Sequence, residues 1–224
     1  MRAFVFALPL FALATSASAD TSVGTTAGRR ASFRVEHVKI DETANDETIW
    51  LVSTRDPSLR ARLPEVALPE EGADMTSGNT SYLSDVFVSP DERFLFRDQK
   101  LFHGGNAAYL YTRVRGLVYR PAAPARLDLA VKRFFAASVG GSEDTDAMGI
   151  VELVAWGDDG ASAILNLRGR EIAGDYEVFD WRCTIDLPSG RVHVTRAQAE
   201  ANAGTFTRCR TPARAPARSR RRSP

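Results

Sequence analysis

Chemically versatile side chains are scarce in this chain. Its 224 residues include two cysteines, three histidines, three methionines and three tryptophans. Two cysteines cannot build a disulfide-dense scaffold, and His193, the one histidine between Cys183 and Cys209, does not complete a zinc shell. In an oxidising compartment the pair reads first as one disulfide, with two free thiols as the alternative. That bond would close a loop of about 25 residues and be worth roughly 3 kcal/mol. His37, His103 and His193 fall on three separate predicted elements with no i, i+4 pair and no H-E-x-x-H frame, so no metal site and no cofactor is expected. His103-Gly104-Gly105 has the look of an oxyanion loop, but the G-x-S-x-G elbow that such a loop needs is missing. The acidic loop at 142–149 fails as a Ca²⁺ loop, because Met148 and Ala155 stand where oxygen ligands belong. Beyond the first 19 residues no stretch approaches the ~20 apolar residues of a membrane-spanning helix.

What the chain does have begins at its start. "MRAFVFALPLFALATSASAD" joins Arg2, a short apolar run and the small-residue ending Ala17-Ser18-Ala19. This is the pattern of a secretory signal peptide cleaved after Ala19, so a secreted or periplasmic product is expected. Losing Arg2 leaves 28 basic and 28 acidic residues. Seven of those arginines lie in 208–224, so the remainder holds 21 basic against 28 acidic residues, a formal charge of minus seven. The Pro/Arg-rich end, 210–224, cannot bury a core and is expected to be disordered. Arg218, Arg220, Arg221 and Arg222 are the candidates for contact with an anionic envelope surface; behind an export leader nucleic acid is not the expected partner.

Between a loose lead at 20–31 and that tail, residues 32–209 read as a single β-rich domain. "SFRVEHVKI" and "TIWLVST" form a hairpin around an acidic connection. Residues 56–81 are Pro/Gly-rich and read as loop with a short edge segment near 66–68. "FVSPDERFLF" is strand, turn and strand: Pro90 presets the turn and Asp91 tolerates its second position. "AAYLYTRV" and "GLVYR" continue the strands. At 125–137 the period changes, with Leu127, Val131 and Phe134 spaced for an amphipathic helix. Strands return in "IVELVAW", "ASAILNLRG" and "YEVFDWRCTIDL", in which Trp156 and Trp181 read as core anchors. Thr195 with Gln198 matches a capping box for a short helix ended by Gly204, after which Phe206 and Cys209 are expected to dock back on the sheet.

Two segments, "VFVSPDERFLFRDQKL" and "LVAWGDDGASAILNLRG", share an apolar strand, a four-residue polar turn and a second strand. They resemble blades of β-propellers such as the WD40 and TolB-like repeats, whose "SPDG" turn is similar to "SPDE" here and whose "D-x-x-T/S-G" ending is similar to "DLPSG" at 186–190. Glu92 stands where that turn usually has glycine, and only two units with a degenerate third at 33–54 are present, fewer than a closed propeller takes. The resulting expectation is a mainly β fold: an antiparallel meander of blade-like hairpins packed with one or two amphipathic helices, and not a complete propeller.

A β scaffold without a catalytic constellation points to a non-catalytic binding module for an unknown protein or glycan of the cell envelope. Tyr109, Tyr111 and His103 are its candidate binding residues, as aromatic or polar groups near strand ends. The alternatives are a hydrolase with a site near the His103 loop and an anionic-surface binder acting through the tail arginines.

Overall fold

The structure is a computed structural model that describes residues 31–39, 47–66, 84–102, 105–142 and 149–209. The expected leader, the tail with Arg218, Arg220, Arg221 and Arg222, and His103 itself lie outside the described residues.

The described strands are all antiparallel and form three sheets. The first sheet holds β1 (Phe33–Lys39), β2 (Glu47–Ser53) and β3 (Arg60–Arg62). The central sheet runs β4 (Asp85–Val88), β5 (Phe94–Phe102), β6 (Gly105–Arg115) and β7 (Val118–Arg126) in chain order. Helix α1 (Leu127–Val139) follows it. The third sheet repeats the scheme with β8 (Gly149–Trp156), β9 (Ser162–Ile172), β10 (Tyr176–Asp186) and β11 (Arg191–His193), then helix α2 (Arg196–Ala201). β12 (Phe206–Arg208) pairs with the start of β10. The fold is therefore mainly β, with open antiparallel meanders and two helices. Among the described residues neither a closed barrel nor a propeller is formed.

The central sheet is buried on both faces, and its sequence shows why. Successive strand residues point to opposite faces. On β5, Phe94 and Phe96 enter the core shared with the third sheet, while Leu95 enters the core shared with the first. On β6, Ala108 and Leu110 face one way, and Ala107, Tyr109 and Tyr111 the other. An unbroken apolar run in a strand is the signature of burial on both sides. Outer sheets have one face to bury and so alternate: β1 reads buried at Phe33, Val35 and His37 and half-buried between.

Helix α1 lies on the far face of the central sheet. Leu127, Val131 and Phe135 are fully buried at i, i+4 and i+8, each contributing about 1.5–3 kcal/mol by burial. It begins two residues later than the spacing predicts, because Pro124 remains in β7 and Asp128 caps the edge instead, accepting from the Ala108 backbone N–H. Gly140 ends it in the left-handed conformation, and the Gly141 N–H returns to the Ala136 carbonyl. The expected edge segment near 66–68 lies largely outside the described residues; "RAR" at 60–62 adds to β2. That strand is too short and too polar to announce itself by periodicity.

Turn chemistry ties the layers together. Glu92 adopts φ +58°, the conformation glycine usually supplies. Its carboxylate accepts from the Ser32 backbone N–H at 2.6 Å and from the Ser32 hydroxyl at 2.5 Å, and pairs with Arg113 at 3.1 Å. Its carbonyl accepts from the Tyr119 hydroxyl at 2.6 Å. A glycine would supply the backbone freedom but none of these side-chain bonds between β1, β6 and the turn. The Gly157–Gly160 turn packs against this one: a Cβ at Gly160 would lie 2.9 Å from Asp91 Oδ2.

Candidate functional site

The expected binding tyrosines are core residues. Tyr109 is 1% exposed and Tyr111 0%, both on the face of β6 turned to the first sheet. Tyr109 lies between the guanidinium groups of Arg97 and Arg126, 5.7 and 5.6 Å from its ring centre. These three belong to adjacent strands at one register position. Arg126 in turn forks onto Asp128 at 2.8 and 2.6 Å. Burial holds the Tyr109 phenol up at about 12. Neither ring is available to a ligand, because both faces of the central sheet are covered.

The cysteines are also placed differently from expectation. Cys183 and Cys209 are both free, one buried in β10 and the other exposed after β12. The Cys209 backbone N–H bonds to Asp175, at the opposite end of β10 from Cys183. Seven residues of strand separate Cys183 from Tyr176, roughly 20–25 Å, far beyond disulfide reach. Burial pushes the Cys183 thiol up to about 12, which makes it an inert apolar group.

The accessible concavity is elsewhere, where α1, β10, β11 and α2 meet. It is a shallow, mostly open groove of about 520 Å³. Its floor is part of an aromatic cluster. Phe135 stands edge-on to Trp181, Phe206 and Tyr176 at 5.2, 5.4 and 5.9 Å, and Phe134 approaches Trp181 at 6.2 Å. Trp181 is the core anchor its strand context predicts, and Phe206 docks on β10 opposite Val178, also as expected. Val192 and Val194 line one wall and Ala199 and Ala203 the other.

Local sequence explains why these walls stand where they do. The "LPSG" turn folds β11 back onto β10, with Gly190 at φ +68°. A Cβ there would lie 2.2 Å from the Ala123 carbonyl oxygen, so only glycine lets the turn rest on β7. Thr195 and Gln198 form the complete capping box, each side chain accepting from the other's backbone N–H at 3.2 and 3.0 Å. The Gln198 amide also exchanges hydrogen bonds with Thr184 on β10, which fixes α2 over the sheet. Asn202 completes the anchor: its side chain accepts from the Arg182 N–H and donates to the Arg182 carbonyl, both at 2.8 Å. That amide fills the gap along the β10 edge between β11 and β12 as one residue of strand would.

Of the groove's polar groups, Ser138 donates to the Phe135 carbonyl and Asn202 is held by Arg182. Arg191 and His193, at i and i+2 on β11, complete the polar lining. Sequence reading weighed His193 only as a metal ligand, and "RVHV" carries no periodic or motif signal that marks a groove wall.

A second polar assembly joins the central and third sheets. The Asn106 side chain accepts from the Val151 N–H at 2.9 Å and donates to the Val151 carbonyl at 2.8 Å, sealing the outer edge of β8. It also donates to Asp98 at 2.6 Å. Burial raises the Asp98 carboxyl to about 6; Asn106 opposes this, Asp85 and Glu152 add to it, and Arg168 opposes it. Among the described residues no group of three or more His, Cys, Asp and Glu side chains is placed to hold a metal ion, and no helix is long and apolar enough to cross a membrane. No family model matches this chain, and no curated protein or solved structure matches it either.

Proposed function

We propose that this chain is an exported, non-catalytic binding module whose ligand occupies the groove between α1, β11 and α2. The single observation that carries this reading is the groove's make-up. A volume of about 520 Å³ over an aromatic floor, with few polar groups, is the usual build of a small-ligand site. The β meanders act as the rigid support, and short elements with small side chains form the mouth. The N-terminal leader supports export; the mature form is expected to begin at Asp20, as N-terminal sequencing of the exported protein would show.

Filling the groove tests the reading. Ala199 is exposed on the groove wall, so Ala199→Phe should leave the unfolding midpoint nearly unchanged while abolishing ligand-induced change in Trp181 fluorescence. A Trp50→Phe/Trp156→Phe background makes Trp181 the sole reporter. Full ligand response in the filled variant would remove the groove from consideration.

A further inference from the structure

Asn106 bridges the seam between β6 and β8. It is 4% exposed, and its side chain bonds both the N–H and the carbonyl of Val151 while also donating to Asp98. β8 is the border strand of its sheet, so the Val151 backbone has no strand partner on that side. The amide stands in for one. Its second bond ties that substitute to a carboxyl.

Asp98 meets carboxylates from both sheets. Asp85 is its register partner on β4, and Glu152, next to Val151 on β8, acts on it from across the seam. Arg168 on β9 pairs with Glu152 at 2.6 Å and offsets part of the repulsion. Lys100, opposite Asn106 in the β5–β6 register, is exposed. On α1, Asp128 is forked by Arg126, and Lys132 reaches Gly149, two residues along β8 from Val151. Charging Asp98 thus adds a third carboxylate to a half-buried cluster. Burial opposes that charge most, and Asp85 and Glu152 add to the opposition. A neutral carboxyl avoids both costs and still accepts from Asn106 through its carbonyl oxygen.

We propose that the Asp98–Asn106–Val151 contact is a proton-controlled latch between the central and third sheets: it holds β8 while Asp98 is protonated and lets the β8 border open once Asp98 is charged. Opening exposes Asp98 to water and returns its carboxyl to the ordinary range. The closed seam therefore binds the proton more tightly, and opening becomes easier as pH rises from the ordinary 3.8 to about 6. Opening also frees the Val151 N–H and carbonyl and leaves β8 as an unpaired edge able to accept another strand. β8 borders the third sheet on the side away from β11 and the groove, so the latch stands independently of the ligand reading.

Hydrogen exchange on the chain from Asp20 tests this. It is read at Val151 and, as an interior reference, at Leu165 on β9, with rates corrected for the intrinsic pH dependence of amide exchange. Val151 protection should fall about tenfold between about pH 4.5 and about pH 6.5, and should stay nearly constant up to about 1 M urea, as a local opening does. Leu165 protection should be higher and should fall with urea, reporting global unfolding. Asp98→Asn should remove the pH change at Val151. Asp85→Asn, at an exposed position, should reduce it to about threefold. Val151 protection that is level across this pH range overturns the latch. Protection at Val151 that matches Leu165 in size and urea dependence also overturns it, because the proton then acts on the whole fold. A pH change that survives Asp98→Asn belongs to another group and overturns it as well.

Discussion

The two meanders of this molecule begin alike and end differently. Each opens with a hairpin around a tight polar turn and continues through an aromatic-rich third strand. The central sheet then closes with a nine-residue β7 and a thirteen-residue helix. The third sheet closes with a three-residue β11 and a six-residue helix. The first sheet covers Tyr109 and Tyr111 on one face of the central sheet, while α1 and the third sheet cover Ala108 and Leu110 on the other. The short closing elements of the third sheet leave Phe134 and Phe206 partly uncovered beside Trp181. A groove arises here where a repeated plan is finished with less chain, so that an aromatic core is left open on one side.

That comparison can be broken most directly at Phe135, which is fully buried beneath three of the rings. Phe135→Ala should cost about 3–5 kcal/mol in urea unfolding and destroy the groove floor. Phe206→Ala, at the open rim, should cost clearly less; equal costs would mean that the third layer is as sealed as the first. Next in size is Gly190→Ala. It combines a positive φ with a contact against the Ala123 carbonyl, and should lower stability by about 3 kcal/mol.

The edge-sealing asparagines sharpen the contrast between the two borders of the third sheet. Asn106→Ala strips partners from a buried backbone N–H and carbonyl and should cost about 2 kcal/mol, and Asn202→Ala does so at the part-buried Arg182 backbone and should cost about 1 kcal/mol. Hydrogen exchange separates them: Asn106→Ala should speed exchange at Val151, and Asn202→Ala at Arg182 and in α2. Unaltered protection at both amides would show that the side chains merely lie alongside the strands.

The smallest effect belongs to Asp98. Its carboxyl sits at about 6 in the folded chain against an ordinary 3.8. The folded state therefore holds a proton that the unfolded state has released, and stability should fall as pH rises from about 4 to about 6. Asp98→Asn should flatten that slope and raise stability at pH 7.5 by on the order of 1 kcal/mol, after allowing for solvent screening of a half-buried group. Wild type and variant with parallel pH profiles would place the proton elsewhere.

Much of the scaffold was legible before any coordinates. The "SPDE" and "GDDG" turns, the β1–β2 hairpin, the helix near 127 and the Thr195–Gln198 box are all local signals, written in residues within a few positions of each other. The tyrosines were not legible as core. Near a loop, "AAYLY" is compatible with an exposed aromatic face as well as with two-sided burial, and only the covering first sheet distinguishes them. The cysteine pair misled for a related reason: an even count says nothing of the seven strand residues that hold the two thiols apart. Glu92 was visible as a departure from glycine, but its partner Ser32 is 60 residues away.

Taken by itself, the sequence determined extended strands, their turns and two helices, because alternation, turn residues and caps act over a few bonds. Tertiary structure alone decided which faces were covered. It buried Tyr109 and Tyr111, left Phe134 and Phe206 partly uncovered beside Trp181, and set Arg191 opposite Asp186 on the edge strand. Burial depends on how sheets stack, and stacking is a sum over contacts between residues far apart in the chain, which no local pattern records.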